Sequence, residues 1–172
     1  MKKAIFLLFL SFSCKTENKT KVINESTLSG TQIEVVINAK VLVNDVFEVY
    51  YYEAGQKTFQ PKDFVYKEVI GDSAFQDIIF NLPQSTYPER LRLDFGKNAN
   101  QEEIILNSIS LSYNSKVYRF SDEEIENEFK PSKYMNFDPD TYKLKTIMID
   151  GKYDPYFYTN KVSSIVNYLL ED

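Results

Sequence analysis

Two short runs carry side chains suited to holding a small polar ligand: Tyr50-Tyr51-Tyr52 and Arg90-Leu91-Arg92-Leu93-Asp94. In an extended chain, successive side chains point to opposite faces. Leu91, Leu93 and Phe95 would then turn inward, leaving Arg90, Arg92 and Asp94 outside. Tyr50 and Tyr52 are likewise opposite in phase to Phe47, Val49 and Tyr51. Arginine offers a planar fork of donors and aspartate offers acceptors, which suits the edge of a polyol. An exposed tyrosine ring stacks on the apolar C–H face of a sugar. If the two runs lie in one sheet, Tyr50, Tyr52, Arg92 and Asp94 share its outer face, with Arg90 beside them. The plainer alternative is a solvated sheet face carrying a cross-strand ion pair.

Other chemistries are excluded by composition. The 172 residues hold no His and a single Cys. That removes the Ser-His-Asp triad, the Cys-His pair and a zinc site built on imidazole or several thiolates. Asp138-Pro139-Asp140, and Asp150 with Asp154, offer oxygen ligands of the kind Ca²⁺ takes, but without EF-hand spacing they read as turns. Acids are plentiful, yet no spacing singles out a pair for glycoside hydrolysis. A phosphate-binding loop, a dinucleotide fingerprint and a nucleophile elbow are all absent. The expectation is a protein that is not an enzyme and needs no cofactor or metal. A formal charge of −5 argues against a nucleic-acid partner.

The lone Cys14 ends a processing signal. Lys2 and Lys3 form a basic start, Ala4 to Phe12 form an apolar stretch, and Ser13 is the small residue before the thiol. A helix needs about 20 apolar residues to span a bilayer, so this stretch reads as a signal-peptide core. The thiol has neither a disulfide partner nor a catalytic partner. This order resembles the lipobox of bacterial lipoproteins of the Bacteroidetes type, with Ser11 where Leu is usual and a bulky Phe12. The resemblance implies cleavage before Cys14, lipidation of that residue, and a place in the bacterial cell envelope as an outer-membrane lipoprotein, on its surface or periplasmic face. Lys15-Thr16-Glu17 is similar to the charged tag that sends such lipoproteins to the surface. An ordinary secretory peptide is the alternative. The organisation expected is a signal peptide over 1–13, a lipidated Cys with a polar tether over 14–30, and one domain over 31–172.

The elements that must position the candidate face read as strands. Ile33, Val35, Ile37, Ala39, Val41 and Val43 share one parity, which predicts a long strand or two joined by a bend. Asn44-Asp45, Gly96-Lys97-Asn98 and Asn114-Ser115 supply turns. A weaker strand spans Phe64 to Ile70, another carries Ile78, Phe80 and Leu82, and Pro83 and Pro88 bound the loop after it. Ile104 and Leu106 are out of phase with Ile109, Leu111 and Tyr113, which predicts a bulge near Asn107-Ser108. A Tyr-rich strand is expected around Tyr142 to Ile149. Ser121-Asp122-Glu123-Glu124 is a capping box for a short helix stopped by Pro131. Lys161 to Leu170 fits either a helix capped by Asn160 or a final strand. Seven or eight strands with one or two short helices predict an all-β fold, an antiparallel, jelly-roll-like β-sandwich.

Leu91 to Gly96, with Phe47-Glu48-Val49-Tyr50-Tyr51 and Ile104 to Ile109, resembles accessory β-sandwich domains of bacterial surface-polysaccharide enzymes, which look like carbohydrate-binding jelly rolls. The resemblance spans about residues 31–113. It implies a non-catalytic, membrane-anchored module for glycan or envelope polymer. A protein–protein subunit or immunity-type lipoprotein is the other class, and a glycoside-active enzyme a distant third. Asp72-Ser73-Ala74 resembles the D-S/T-A pattern of Bacteroidetes O-glycosylation, which would make Ser73 the modified residue.

Overall fold

The structure is a computed structural model, and it describes residues 32–101 and 103–171. Cys14, the signal peptide and the tether lie outside the described residues. The described residues form eleven strands and two helices. In order, β1 is Glu34–Val41, β2 Asp45–Glu53, β3 Phe64–Val69, β4 Gln76–Asn81 and β5 Pro88–Asp94. There follow β6 Glu103–Tyr113, β7 Lys116–Arg119, the helix α1 Asp122–Glu128, β8 Phe129–Pro131 and β9 Met135–Asp138. The last elements are β10 Lys143–Thr146, β11 Tyr156–Thr159 and the helix α2 Ser163–Leu170.

The strands make two antiparallel sheets. The first runs β4-β1-β6-β10-β9, with β7 also on β6, and the second runs β3-β2-β5-β11-β8. The chain passes from one sheet to the other at β1–β2, β3–β4, β4–β5, β5–β6, β7–β8, β8–β9 and β10–β11, while β2–β3, β6–β7 and β9–β10 are neighbours within one sheet. This is the all-β sandwich expected from the alternating apolar pattern.

Alternation fixes which way each strand faces. Ile33, Val35, Ile37, Ala39 and Val41 are all fully buried, so β1 is one strand with one inward face. Phe47 and Val49 on β2, Leu91 and Leu93 on β5, and Phe157 on β11 face them from the second sheet. Between the sheets, Phe95 and Phe129 each pack edge-on against Phe157, with ring centroids 5.4 and 5.8 Å apart. Edge-to-face rings add to the free energy of burying their area. A core without Trp is thus filled by interlocking phenylalanines.

The bulge falls where the phase jump puts it: Asn38 opposes Ser108 but Ala39 opposes Leu106, leaving Asn107 over. The Asn114-Ser115 turn joins β6 to β7, with Asn114 in the left-handed region at φ +54°. The Gly96 turn is tied down by Asp45, whose Oδ1 accepts from the backbone N–H of Lys97 at 2.7 Å and of Asn98 at 3.1 Å. Gly96 has φ +105°, and a Cβ there would sit 2.0 Å from Asp45 Oδ2. No side chain fits.

Several expectations need correction. The described residues form eleven strands, not seven or eight, because β8, β9 and β11 are only three or four residues long. The strand expected around Tyr142 to Ile149 is β10, but it is shorter, with Tyr142 before it in the left-handed region at φ +56°, and the strand rich in Tyr is β11. Pro88 opens β5 rather than bounding the loop, a first-residue position that proline tolerates. Residues Ser163–Leu170 are helical, but Asn160 does not cap them: its Nδ2 donates to Glu128 Oε2 at 2.7 Å. The α1 capping box is present as expected, with Ser121 and Glu124 bonded reciprocally.

Candidate functional site

The runs Tyr50-Tyr51-Tyr52 and Arg90-Leu91-Arg92-Leu93-Asp94 are neighbours. β2 and β5 pair antiparallel, with Tyr50 opposite Arg92, Tyr52 opposite Arg90 and Glu48 opposite Asp94. β3 adds Phe64 beside Tyr50, and β11 adds Tyr158 beside Arg92 and Tyr156 beside Asp94. Side chains directly opposite on one face are within contact distance. The outer face of the second sheet therefore carries one continuous row, Phe64–Tyr50–Arg92–Tyr158, flanked by rows through Tyr52 and through Glu48.

Arg92 is the centre of this face. Its Nε and Nη2 donate to the two oxygens of Asp94, each at 2.7 Å, and Nη2 also reaches Asp154 Oδ1 at 2.5 Å. The guanidinium carbon lies 3.8 Å from the centroid of the Tyr156 ring and 5.4 Å from that of Tyr50. A guanidinium beside rings gains cation–π attraction while its fork holds a carboxylate. Tyr50 stacks on Phe64 at 5.0 Å and 21°, and its hydroxyl donates to Glu48 Oε2 at 3.2 Å. Glu48 also accepts from Lys97 Nζ at 2.5 Å.

Burial is felt in the ionisation of these groups. It pushes the Asp94 carboxyl up to about 6, and the pull of Arg92 only partly offsets it. Burial, then the Glu48 charge, raises the Tyr50 hydroxyl above its ordinary value.

Beside Arg92 the face opens into a recess of about 250 Å³ lined by Tyr50, Phe59, Gln60, Pro61 and Arg92. Phe59, Gln60 and Pro61 come from the β2–β3 loop, which folds back over the sheet. Phe59 packs on Tyr52 at 4.9 Å and edge-on to Tyr158 at 5.6 Å. Tyr52 is consequently only 7% exposed, and its ring is covered rather than open to a ligand. It supports the loop. Arg90, in the same row, lies over the Tyr158 ring and donates to the carbonyl of Thr159 at 3.2 Å. Thus Tyr50 and Arg92 line the recess and Asp94 orients Arg92 from beside it, while Tyr52 and Arg90 do not line it: Tyr52 packs against Phe59, and Arg90 is held by Tyr158 and Thr159.

Reading the sequence missed Phe59, Gln60, Pro61, Tyr156 and Tyr158, and it weighed Asp154 only as an oxygen ligand or turn residue, not as the partner of Arg92 that it is. The Tyr156-Phe157-Tyr158 alternation was the one available signal. Ser73 is exposed, in a loop where Asp72 Oδ1 accepts from the N–H of Ala74 at 2.8 Å. Asp138 accepts from the N–H of Asp140 and the hydroxyl of Thr141, which is a turn. Among the described residues, no three His, Cys, Asp or Glu side chains group as metal ligands.

A second recess, of about 290 Å³, lies between α1 and α2 and is lined in part by Tyr118, Glu124, Glu128, Asn160 and Lys161. Its carboxylates are held within the fold, Glu124 by Ser121 and Tyr118, and Glu128 by Asn160. No helix among the described residues is long and apolar enough to cross a membrane. Comparisons with protein-family models, with curated proteins and with solved structures found no match to the chain.

Proposed function

We propose that this protein is a membrane-anchored lipoprotein of the bacterial envelope that binds glycan or envelope polymer, without catalysis, through the outer face of its second sheet. The observation that carries this reading is the open recess in which the Tyr50 and Phe59 rings meet Arg92 and Gln60. Rings give a stacking surface, and the two polar residues give a donor and an acceptor for hydroxyls. Few polar contacts and a shallow shape imply weak binding, roughly millimolar to micromolar, or about −4 to −8 kcal/mol. The membrane partner is reached through the lipid on Cys14, and Ser73 stands exposed for O-glycosylation.

The test is a glycan-array screen of the full chain in detergent, followed by titration of each hit against Phe59→Ala. Binding that falls at least tenfold in the variant, with unfolding still cooperative, supports the reading. An array without hits defeats it.

A protein partner is the second reading. It rests on Leu42, Ile70 and Phe75, which are 58%, 74% and 48% exposed near the ends of β1 and β3. Exposed apolar side chains grouped at one end of a domain suit a protein contact.

A further inference from the structure

We propose that the Tyr50–Phe59–Arg92 recess takes an uncharged sugar ring and discriminates against uronate, sulfate and phosphate sugars. This rests on the glycan reading above and narrows it to a ligand class.

An anion-binding arginine presents an unneutralised fork. Arg92 does not. Nε and Nη2 are closed by Asp94, and Asp154 occupies Nη2 a second time. One positive charge is therefore balanced by two carboxylates in direct contact. Glu48 adds a third acid one row away, matched by Lys97. Arg90, in the row beyond, is covered by Tyr158 and bound to the Thr159 carbonyl. A carboxylate or sulfate entering beside Arg92 would approach Asp154, whose side chain is 45% exposed, before reaching any free cation. Like charges repel, and a half-buried face screens them less than water does.

Neutral hydroxyls meet no such barrier. Arg92 Nη1 makes no hydrogen bond among the described residues, so its N–H groups can donate to a ring oxygen or hydroxyl. Gln60 lines the recess, and its Nε2 donates to Thr58 at 3.2 and 3.3 Å, which leaves Oε1 as its free acceptor among the described residues. Phe59 and Pro61 offer apolar surface to the C–H face of the same ring. One donor, one acceptor and one apolar wall describe a site for a polyol ring without a charged substituent.

The experiment titrates the full chain in detergent with gluco-, manno- and galacto-configured oligosaccharides and with uronate oligosaccharides of matched configuration and length. At least tenfold tighter binding of the neutral member of a pair is expected. Asp154→Asn removes one of the two acids on Arg92 without touching the core, and should narrow that ratio at least threefold. Equal or tighter binding of the uronates overturns the inference and leaves the glycan reading standing. A ratio unchanged in Asp154→Asn overturns the charge argument. Binding of neither series defeats the glycan reading, and the inference with it.

Discussion

Arg92 ties three strands of the second sheet together, and its removal should be costly. Arg92→Ala would leave Asp94, only 8% exposed, without its bidentate partner. Breaking a buried pair by removing one member costs about 3–5 kcal/mol. The Arg92 side chain is 25% exposed, so a loss of about 2–3 kcal/mol is expected in urea unfolding. Lysine cannot form the fork, so Arg92→Lys should recover little of it. Asp94 also sets a pH dependence. Its folded carboxyl titrates at about 6 against an ordinary 3.8, so the folded state holds the proton more tightly than the unfolded state. The stability this group contributes is complete below pH 3.8 and is lost as the pH rises through about 6. Unfolding free energies measured across that window should decline with pH, and Asp94→Asn should flatten the decline. At this scale the sequence was half legible. Parity alone placed Tyr50, Arg92 and Asp94 on one side of their strands. It could not report that Phe59, from a loop with no period, would close over Tyr52.

Elements were legible in proportion to their length. The eight residues of β1 and the seven of β5 alternate clearly, and their inward faces are the ones alternation predicts. The bulge in β6 was legible because a phase jump inverts every later side chain. The short strands were not: β8, β9 and β11 show no more than two alternations each, too few to separate from a loop. The α2 ambiguity has a similar cause, since its N-cap, Val162, makes no side-chain bond to mark the start. In α1 the mark is present, and it can be tested. Ser121 Oγ accepts from the N–H of Glu124, and the Glu124 carboxylate accepts from the N–H of Ser121. Ser121→Ala should cost about 1 kcal/mol. Glu124→Gln, which keeps the return bond, should cost less. A thermal melt that places Glu124→Gln below Ser121→Ala would show that the Tyr118 hydroxyl contact outweighs the cap.

For the whole molecule, the proposed anchor predicts a change of compartment and not of fold. Cys14→Ser should move the chain from the membrane fraction to the soluble one, because lipid contributes about 0.8 kcal/mol per buried CH₂ and nothing else in this reading holds it there. Intact-mass analysis that finds an unmodified thiol in the membrane fraction would sink the anchor. Chain order gives such an anchor a further meaning. β1 lies inside the first sheet, paired with β4 along one edge and β6 along the other. Whatever tension reaches the domain from its N-terminal side arrives at the buried Ile33, whose carbonyl accepts from the N–H of Leu82, and passes directly to Glu34, the first residue of that strand. A pull along β1 loads both ladders at once, in shear, where an edge strand would peel open one bond at a time. A domain gripping a polymer while held by its N-terminal segment is then strongest, mechanically, along its own line of attachment.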